Sequence, residues 1–301
     1  MFSNPKVKSR DLIPSPDNAM SSSDGKTETM NQRLVKVGAV NYLNTKPLVY
    51  ELLQFAPHAE VLYDVPSRLA DNLADGKLDV ALIPSIEYFQ DPAYSIVSNA
   101  CIACRGPVLS VKLFSRTPLD RIQTLALDEG SRTSVALVRI LLQQRCGISP
   151  RLESLPLGAQ VNDSQADAVL VIGDRAIHAP PGEFLAVWDL GHEWCRWAEL
   201  PFVFAMWVAR AGTDLEGLDV ALSAAREAGM RHLGEIAERE AAAVDLPPDQ
   251  CLAYLRDNLF FYLGPREFQG LETFYRHAVA LDMAPPGLDW TQPVSDTACS
   301  G

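Results

Sequence analysis

Short apolar runs rich in β-branched residues alternate with stretches of helical period from Val35 onwards. Runs of this kind are typical of strands that are buried on both faces of a sheet. They predict strands over residues 35–40, 60–65, 80–84, 108–115, 124–127, 151–155, 168–172, 184–190 and 202–209. Because these strands alternate with helices, the pattern predicts an α/β protein with a largely parallel sheet.

N-cap residues and early prolines follow the ends of several predicted strands, where they mark helix starts. These starts lie near residues 44–47, 66–67, 84–85, 131–134, 173–174 and 191–192. The clearest helix spans residues 133–146, since its apolar residues share one side and Gly147 provides a stop. After Arg210 no further strand is predicted, and two helical stretches fill residues 214–243 and 248–281.

A chain of 301 residues favours two domains, at roughly 150 residues per domain. The element order predicts two α/β lobes, with the chain crossing between them near residues 114–119 and 207–210. The predicted organisation is a disordered extension (1–33), a first lobe (34–116 and 208–284), a second lobe (117–207) and a flexible tail (285–301). This arrangement places a binding site in the interlobe cleft, at the carboxyl ends of parallel strands.

Charge and composition narrow the classes of partner. Lys and Arg number 26 against 38 Asp and Glu, and the resulting net charge of −12 disfavours nucleic acid or an anionic membrane as a partner. Residues 1–33 lack the apolar run of a signal peptide, so we expect a cytoplasmic protein. Cys101 and Cys104 form a single CxxC pair without further ligands at metal-binding spacing, so no metal site is predicted.

Four strand-to-helix junctions carry polar residues that a hydrophobic core does not need, over residues 41–47, 83–88, 128–134 and 172–174. Free N–H groups in the first turn of a helix bind anions, and the helix dipole favours the negative charge. Taken singly, each junction is explained by N-capping alone. The run from Ser131 to Ser134 goes further, because three hydroxyls flank the guanidinium of Arg132, and arginine binds carboxylates bidentately. Two such junctions facing one cleft would form a carboxylate receptor.

Other catalytic signatures are missing. The five histidines do not form a spaced pair with a carboxylate, and the GxSxG, Walker A and GxGxxG motifs are absent.

Six blocks, in order between about residues 35 and 280, resemble the chorismate dehydratase family of the futalosine route to menaquinone. They are VGAVNYLNTKPL (37–48), LDVALIPSIEY (78–88), RGPV (105–108), SRTSVAL (131–137), VIGD (171–174) and LPFVFA (200–205). The resemblance implies a type II periplasmic-binding-protein-like fold, made of two α/β lobes with an interlobe cleft. It also implies no metal or organic cofactor, and conversion of chorismate to 3-[(1-carboxyvinyl)oxy]benzoate with loss of water.

The resemblance implies roles for individual residues. The catalytic asparagine of the family falls on Asn44, whose amide is no base at pH 7 and is expected to orient the substrate or bind the leaving hydroxyl. Donors aimed at the ring carboxylate would stabilise the charge that develops when the C3 proton leaves. The expected substrate-binding residues are Asn41, Tyr42, Ser85, Ser131, Arg132, Thr133, Ser134, Gly173 and Asp174.

The group that removes the C3 proton stays open at this point. Glu87, Glu129 and Asp174 are suitable by residue type, but the enolpyruvyl carboxylate of chorismate itself lies close to C3. We favour abstraction by the substrate, because the sequence contains no obvious histidine or carboxylate dyad. The rival functions are a non-catalytic carboxylate-binding protein of the same fold and a 1,4-dihydroxy-6-naphthoate synthase. The sequence leaves the oligomeric state unknown.

Overall fold

The computed structural model describes residues 34–178 and 180–290. The predicted disorder of residues 1–33 and the end of the predicted tail, residues 291–301, lie outside the described residues. Residues 285–290 form neither helix nor strand, but they are held to the body of the protein. The Tyr275 hydroxyl donates to the Pro285 carbonyl and accepts from the Leu288 N–H, each at 2.9 Å. These two hydrogen bonds tie the start of the predicted tail to Tyr275, and the flexibility of the tail stays a prediction.

The strands in the described residues are β1 (Val35–Val40), β2 (Ala59–Asp64), β3 (Val80–Pro84), β4 (Tyr94–Cys104), β5 (Val111–Ser115), β6 (Thr124–Asp128), β7 (Arg151–Leu155), β8 (Ala168–Ile172), β9 (Ala186–Asp189), β10 (Phe202–Arg210) and β11 (Phe260–Tyr262). The α-helices are α1 (Leu52–Phe55), α2 (Pro66–Ala74), α3 (Ser85–Tyr88), α4 (Thr133–Cys146), α5 (Asp174–Ile177), α6 (Leu190–Ala198), α7 (Leu218–Arg231), α8 (Leu233–Glu240), α9 (Pro248–Ala253) and α10 (Pro265–Ala280). Three 3-10 segments (Leu43–Val49, Leu119–Arg121 and Val161–Asp163) and one π-helical turn (Tyr254–Asn258) complete the set.

Two sheets organise these elements. The first has the strand order β11-β4-β10-β3-β1-β2, and the second has the order β7-β6-β8-β5-β9. The α/β class is confirmed, but both sheets are mixed rather than largely parallel. Strand β10 runs antiparallel to β3 and β4, and β5 runs antiparallel to β8 and β9. Hydrophobic patterning does not reveal strand direction, because a strand buried on both faces reads the same either way.

Two strands in the described residues were not predicted. Strand β4 is long and lies between β10 and the edge strand β11, yet Ser98 and Asn99 interrupt its apolar residues, so no continuous run marks it. Strand β11 has three residues and lies where only helix was predicted. The prediction that no strand follows Arg210 is therefore wrong, since β11 pairs with β4 along the edge of the first sheet.

The chain passes from the first sheet to the second between Cys104 and Val111, and it has returned by Phe202. Both crossings come earlier than the predicted positions at 114–119 and 207–210, because β5 already pairs in the second sheet and β10 pairs entirely in the first. The Asp189 carboxylate holds the outward crossing by accepting from Val108 and Leu109 N–H at 2.9 and 2.6 Å. The lobe boundaries predicted at 116/117 and 207/208 therefore do not coincide with the change of sheet.

Candidate functional site

A cavity lies where strands of both sheets end. It contains about 510 Å³ of space not filled by protein atoms, part of it open to solvent. Its walls include the last residues of β1, β3 and β8, together with the crossing segment before β5. The polar side chains in the lining are those of Tyr42, Asn44, Ser110, Ser131, Thr133 and Ser134, and no charged residue is among the described residues that line it. The cavity thus offers neutral hydrogen-bond donors on a largely apolar wall.

The 3-10 segment after β1 presents Asn44 to the cavity. The Asp174 carboxylate accepts from the Leu43 N–H, with its two oxygens at 3.1 and 3.3 Å, and so ties this segment to the start of α5. The Asn44 Oδ1 accepts from the Thr45 hydroxyl at 3.3 Å. The carboxamide oxygen is therefore engaged within the segment, and the amide nitrogen is the end of Asn44 left to serve a ligand.

The Tyr42 ring packs directly on the backbone of Gly173, and both residues line the cavity. A Cβ atom at Gly173 would lie 2.9 Å from Tyr42 Cζ, and the φ of +73° there is one that other residues rarely adopt. Burial, followed by the charge of Asp128, raises the pKa of Tyr42 to about 12. At neutral pH this phenol is therefore protonated and able to donate a hydrogen bond.

Three hydroxyl residues line the cavity at the start of helix α4, with Ser131 just before the helix and Thr133 and Ser134 in its first turn. The Ser131 Oγ accepts from the Ser134 N–H at 3.2 Å and caps the helix. The preceding turn is fixed by the Asp128 carboxylate, which accepts from Gly130 and Ile172 N–H and is paired with Arg175. The start of a helix of 14 residues carries partial positive charge, so this wall favours an anionic ligand without a full charge of its own.

Ser85 lies behind this wall rather than in it. Its hydroxyl is fully buried, donates to the Val203 carbonyl at 2.8 Å and lies 3.3 Å from the Thr133 Oγ1. The Ile86 N–H also donates to Thr133 Oγ1, at 3.2 Å. Ser85 was expected to bind substrate, but it lies outside the lining and contacts the Thr133 side chain that does line the cavity.

The structure places Arg132 differently from the expectation. Its guanidinium donates to both Asp71 carboxylate oxygens, at 2.8 and 3.0 Å, and to Glu87 at 3.1 Å, and Arg132 does not line the cavity. Two carboxylates of the protein already bind this guanidinium, so a substrate-binding role for Arg132 stays a prediction. Asn41 also lies outside the lining, where its exposed side chain accepts from Lys46 Nζ at 3.1 Å.

None of the three candidate bases lines the cavity. Glu87 is paired with Arg132, and burial raises its pKa. The Glu129 carboxylate accepts from the Ser154 hydroxyl. Asp174 faces the Leu43 N–H, as described above. Each of the three carboxylates therefore has a hydrogen-bond partner within the protein and lies outside the cavity lining.

We expect Asp174→Asn to remove a pH-dependent cost from the free energy of unfolding. Burial raises the pKa of Asp174 from 3.8 to about 6 against the opposing Leu43 N–H. Because the folded-state pKa is higher than the unfolded one, folding favours the protonated carboxyl. The cost is therefore absent below about pH 4 and grows as the pH rises through 6, to on the order of 2–3 kcal/mol. The variant keeps an amide oxygen for the Leu43 N–H, so its stability should change less over this range.

Urea denaturation at several pH values between 4 and 7.5 tests this expectation, with wild type and variant compared at each pH. Parallel stability curves for the two proteins would contradict it. The same variant tests Asp174 as a base, since a base would lose kcat by orders of magnitude with KM unchanged.

Sequence reasoning missed Ser110, a buried residue of the crossing segment whose side chain lines the cavity. It lies two residues after the RGPV block, and this proximity was the available signal.

Within residues 34–178 and 180–290, no three His, Cys, Asp or Glu side chains are grouped as metal ligands. No helix in the same residues is long and apolar enough to span a bilayer.

The fold defines a class of protein. The structure resembles a protein from Archaeoglobus fulgidus with a TM-score of 0.69 and 14% identity, covering 84% of this chain and 99% of that one. It resembles a Candida albicans gene product described as having the generic periplasmic binding protein fold, with a TM-score of 0.59 and 12% identity over 85% and 92% of the two chains. The protein therefore has a periplasmic-binding-protein-like fold, as expected from the sequence.

Family comparisons are more specific. Residues 35–280 match the model of the menaquinone biosynthesis family, and the chain belongs to that family. Chorismate dehydratase from Thermus thermophilus is 33% identical over 267 residues, which cover 83% of this chain and 96% of the relative. Chorismate dehydratase from Campylobacter jejuni is 28% identical over 177 residues, which cover 56% of this chain and 64% of that relative.

Proposed function

We propose that this protein is a chorismate dehydratase, a carbon–oxygen lyase that converts chorismate to 3-[(1-carboxyvinyl)oxy]benzoate and water without a cofactor. The match to the Thermus enzyme over 96% of its length carries the proposal. The six sequence blocks that resemble this family supply three strand ends of the cavity and the start of α4. We also propose a cytoplasmic location and a small dicarboxylate as the ligand, which the biosynthetic description of the family supports.

The chemistry of the cavity suits a ring that carries two carboxylates. Hydroxyls at the start of α4 and the protonated phenol of Tyr42 donate to anionic oxygens without needing a charged side chain. The helix dipole adds roughly 0.3–1 kcal/mol in favour of an anion at an exposed helix start. The apolar part of the wall, which includes Ile102 and Phe204, would contact the ring.

In the proposed reaction, loss of the C3 proton leaves the electron pair of the C–H bond on the ring. This negative charge spreads through the ring diene to the ring carboxylate. Donors at the start of α4 stabilise this developing charge. The Asn44 amide nitrogen donates to the C4 hydroxyl as it departs, since its oxygen is bound by Thr45. Aromatisation of the ring then drives the loss of water.

We assign the proton abstraction to the enolpyruvyl carboxylate of the substrate, which passes the proton on to the departing hydroxide so that water leaves and the carboxylate is regenerated. The support is that Glu87, Glu129 and Asp174 all lie outside the cavity lining and have partners of their own. Holding the enolpyruvyl arm over C3 makes this step intramolecular, and such proximity supplies a large share of a catalytic effect.

Incubation of the purified full chain with chorismate tests the proposal. We expect a new aromatic product by ultraviolet absorbance, with one equivalent formed per chorismate consumed and no added metal or cofactor required. Binding measured by calorimetry under the same conditions separates capture from reaction. Chorismate that is bound but unchanged at high protein concentration would favour the carboxylate-binding protein, and chorismate that is neither bound nor changed would exclude it as the ligand.

A further inference from the structure

The hydroxyl of Tyr254 is buried beside the cavity without a hydrogen-bond partner among the described residues. Tyr254 is only 1% exposed. Side chains of Ser110 and Asn44 approach the phenol closely enough to lower its pKa, although burial raises that pKa by more. Both neighbours line the cavity. An unpaired buried hydroxyl costs about 1–3 kcal/mol, so folding stability alone does not account for this tyrosine.

The backbone at Tyr254 is also unusual. Tyr254 begins the π-helical turn Tyr254–Asn258, which connects α9 to β11. Single π turns occur often at functional sites. The local structure and the unpaired hydroxyl are independent features, and both point to a role at the cavity.

We propose that Tyr254 is a positioning residue for Asn44 in the dehydration, with its hydroxyl accepting one N–H of the Asn44 amide when substrate fills the cavity. This inference rests on the proposed function. The Asn44 oxygen already accepts from Thr45, so both N–H groups of the amide remain for other partners. With one N–H bound by Tyr254, the other is directed at the leaving hydroxyl.

When substrate fills the cavity, the Ser110 oxygen can accept the proton of the Tyr254 hydroxyl, which has no partner among the described residues in the ligand-free structure. The Ser110 hydroxyl donates to the Val108 carbonyl at 3.4 Å, which leaves the lone pairs of its oxygen for Tyr254. A chain of donors then runs from the Asn44 amide through Tyr254 and Ser110 to the crossing segment. Such a chain fixes which end of the carboxamide faces the substrate, because a flipped amide would bring two acceptors together.

Tyr254→Phe tests the inference, since it removes only the hydroxyl. We expect kcat for chorismate to fall roughly ten- to hundredfold with little change in KM, as for a misplaced catalytic group. We expect the melting temperature to stay the same or rise, because the variant removes an unpaired buried polar group. A purely structural role would instead lower the melting temperature.

Tyr275→Phe is the matched control. Tyr275 is 7% exposed, and its hydroxyl makes two hydrogen bonds, to Pro285 and Leu288. Its loss should lower the melting temperature and leave kcat unchanged, which is the opposite pattern to Tyr254→Phe.

A double-variant cycle shows whether Tyr254 acts through Asn44. In an Asn44→Ala background, Tyr254→Phe should cause no further loss of kcat. Wild-type kcat in Tyr254→Phe, or losses that multiply in the double variant, would overturn the inference while leaving the proposed function intact. A wild-type protein that does not convert chorismate would overturn the proposed function, and the inference with it.

Discussion

Asn44→Ala and Asn44→Asp should each lower kcat for chorismate about 10²–10³-fold, the loss typical of removing one donor from a developing charge. The alanine variant removes the amide altogether, and the aspartate variant keeps its shape but replaces the donor with an acceptor. Asn44 lines the cavity, and its oxygen already accepts from Thr45, so the N–H groups are what both variants remove. Steady-state kinetics with chorismate, followed through the aromatic product, measure the effect.

Asn162→Ala serves as the control, because Asn162 is exposed and its side chain donates to the Pro181 carbonyl. Its kcat should equal that of wild type. Thermal melts of all three variants separate lost chemistry from lost structure. Near-normal turnover by Asn44→Ala would remove Asn44 from the mechanism.

Gly229→Ala should cost at least about 3 kcal/mol of unfolding free energy, since overpacking against a backbone that cannot yield is among the most damaging changes. A Cβ atom at Gly229 of α7 would lie 2.1 Å from the Pro47 oxygen and 2.7 Å from the Pro47 Cα. Pro47 belongs to the 3-10 segment that carries Asn44. Helix α7 must therefore separate from that segment, and kcat should fall along with stability.

Gly234→Ala is the matched control for that substitution. Gly234 is an exposed residue of α8, and a Cβ atom there would meet nothing within 4 Å. Alanine is the better helix former, so this variant should gain about 0.5–1 kcal/mol. Urea denaturation compares the three proteins, and equal midpoints for Gly229→Ala and wild type would refute the close approach of α7.

The sequence predicted elements wherever an apolar run or a helix signal was continuous. Strands β1, β3 and β8 have such runs, and helix α4 has both an apolar side and a terminal glycine, so all four appear where they were expected. Strand β4 was missed, because its polar residues are accommodated only by tertiary contacts, such as the 3.1 Å approach of Ser98 and Ser223 hydroxyls. The sequence around Ser98 does not indicate that its hydrogen-bond partner, Ser223, lies 125 residues away.

For the candidate site, the sequence predicted the positions of several residues but not the direction of a long charged side chain. Tyr42, Asn44 and Gly173 were placed at the cavity from sequence, because the carboxyl ends of neighbouring strands meet along one edge. The side-chain direction of Arg132 was not predictable, since its guanidinium is bound by Asp71 and Glu87, which lie on other helices. Chain position thus predicts where a residue is, whereas the direction of a long side chain depends on which charges surround it.

The uncharged wall of the cavity has a kinetic consequence for a protein with a net charge of −12. A doubly negative ligand approaching it is repelled at long range and attracted only once it reaches the hydroxyls and the start of α4. Dissolved ions screen the repulsion over about 10 Å at 0.1 M and leave the short contacts almost untouched. Raising the ionic strength should therefore speed the capture of the dianion and hardly alter its release, the reverse of the behaviour of sites that attract anions with lysine and arginine.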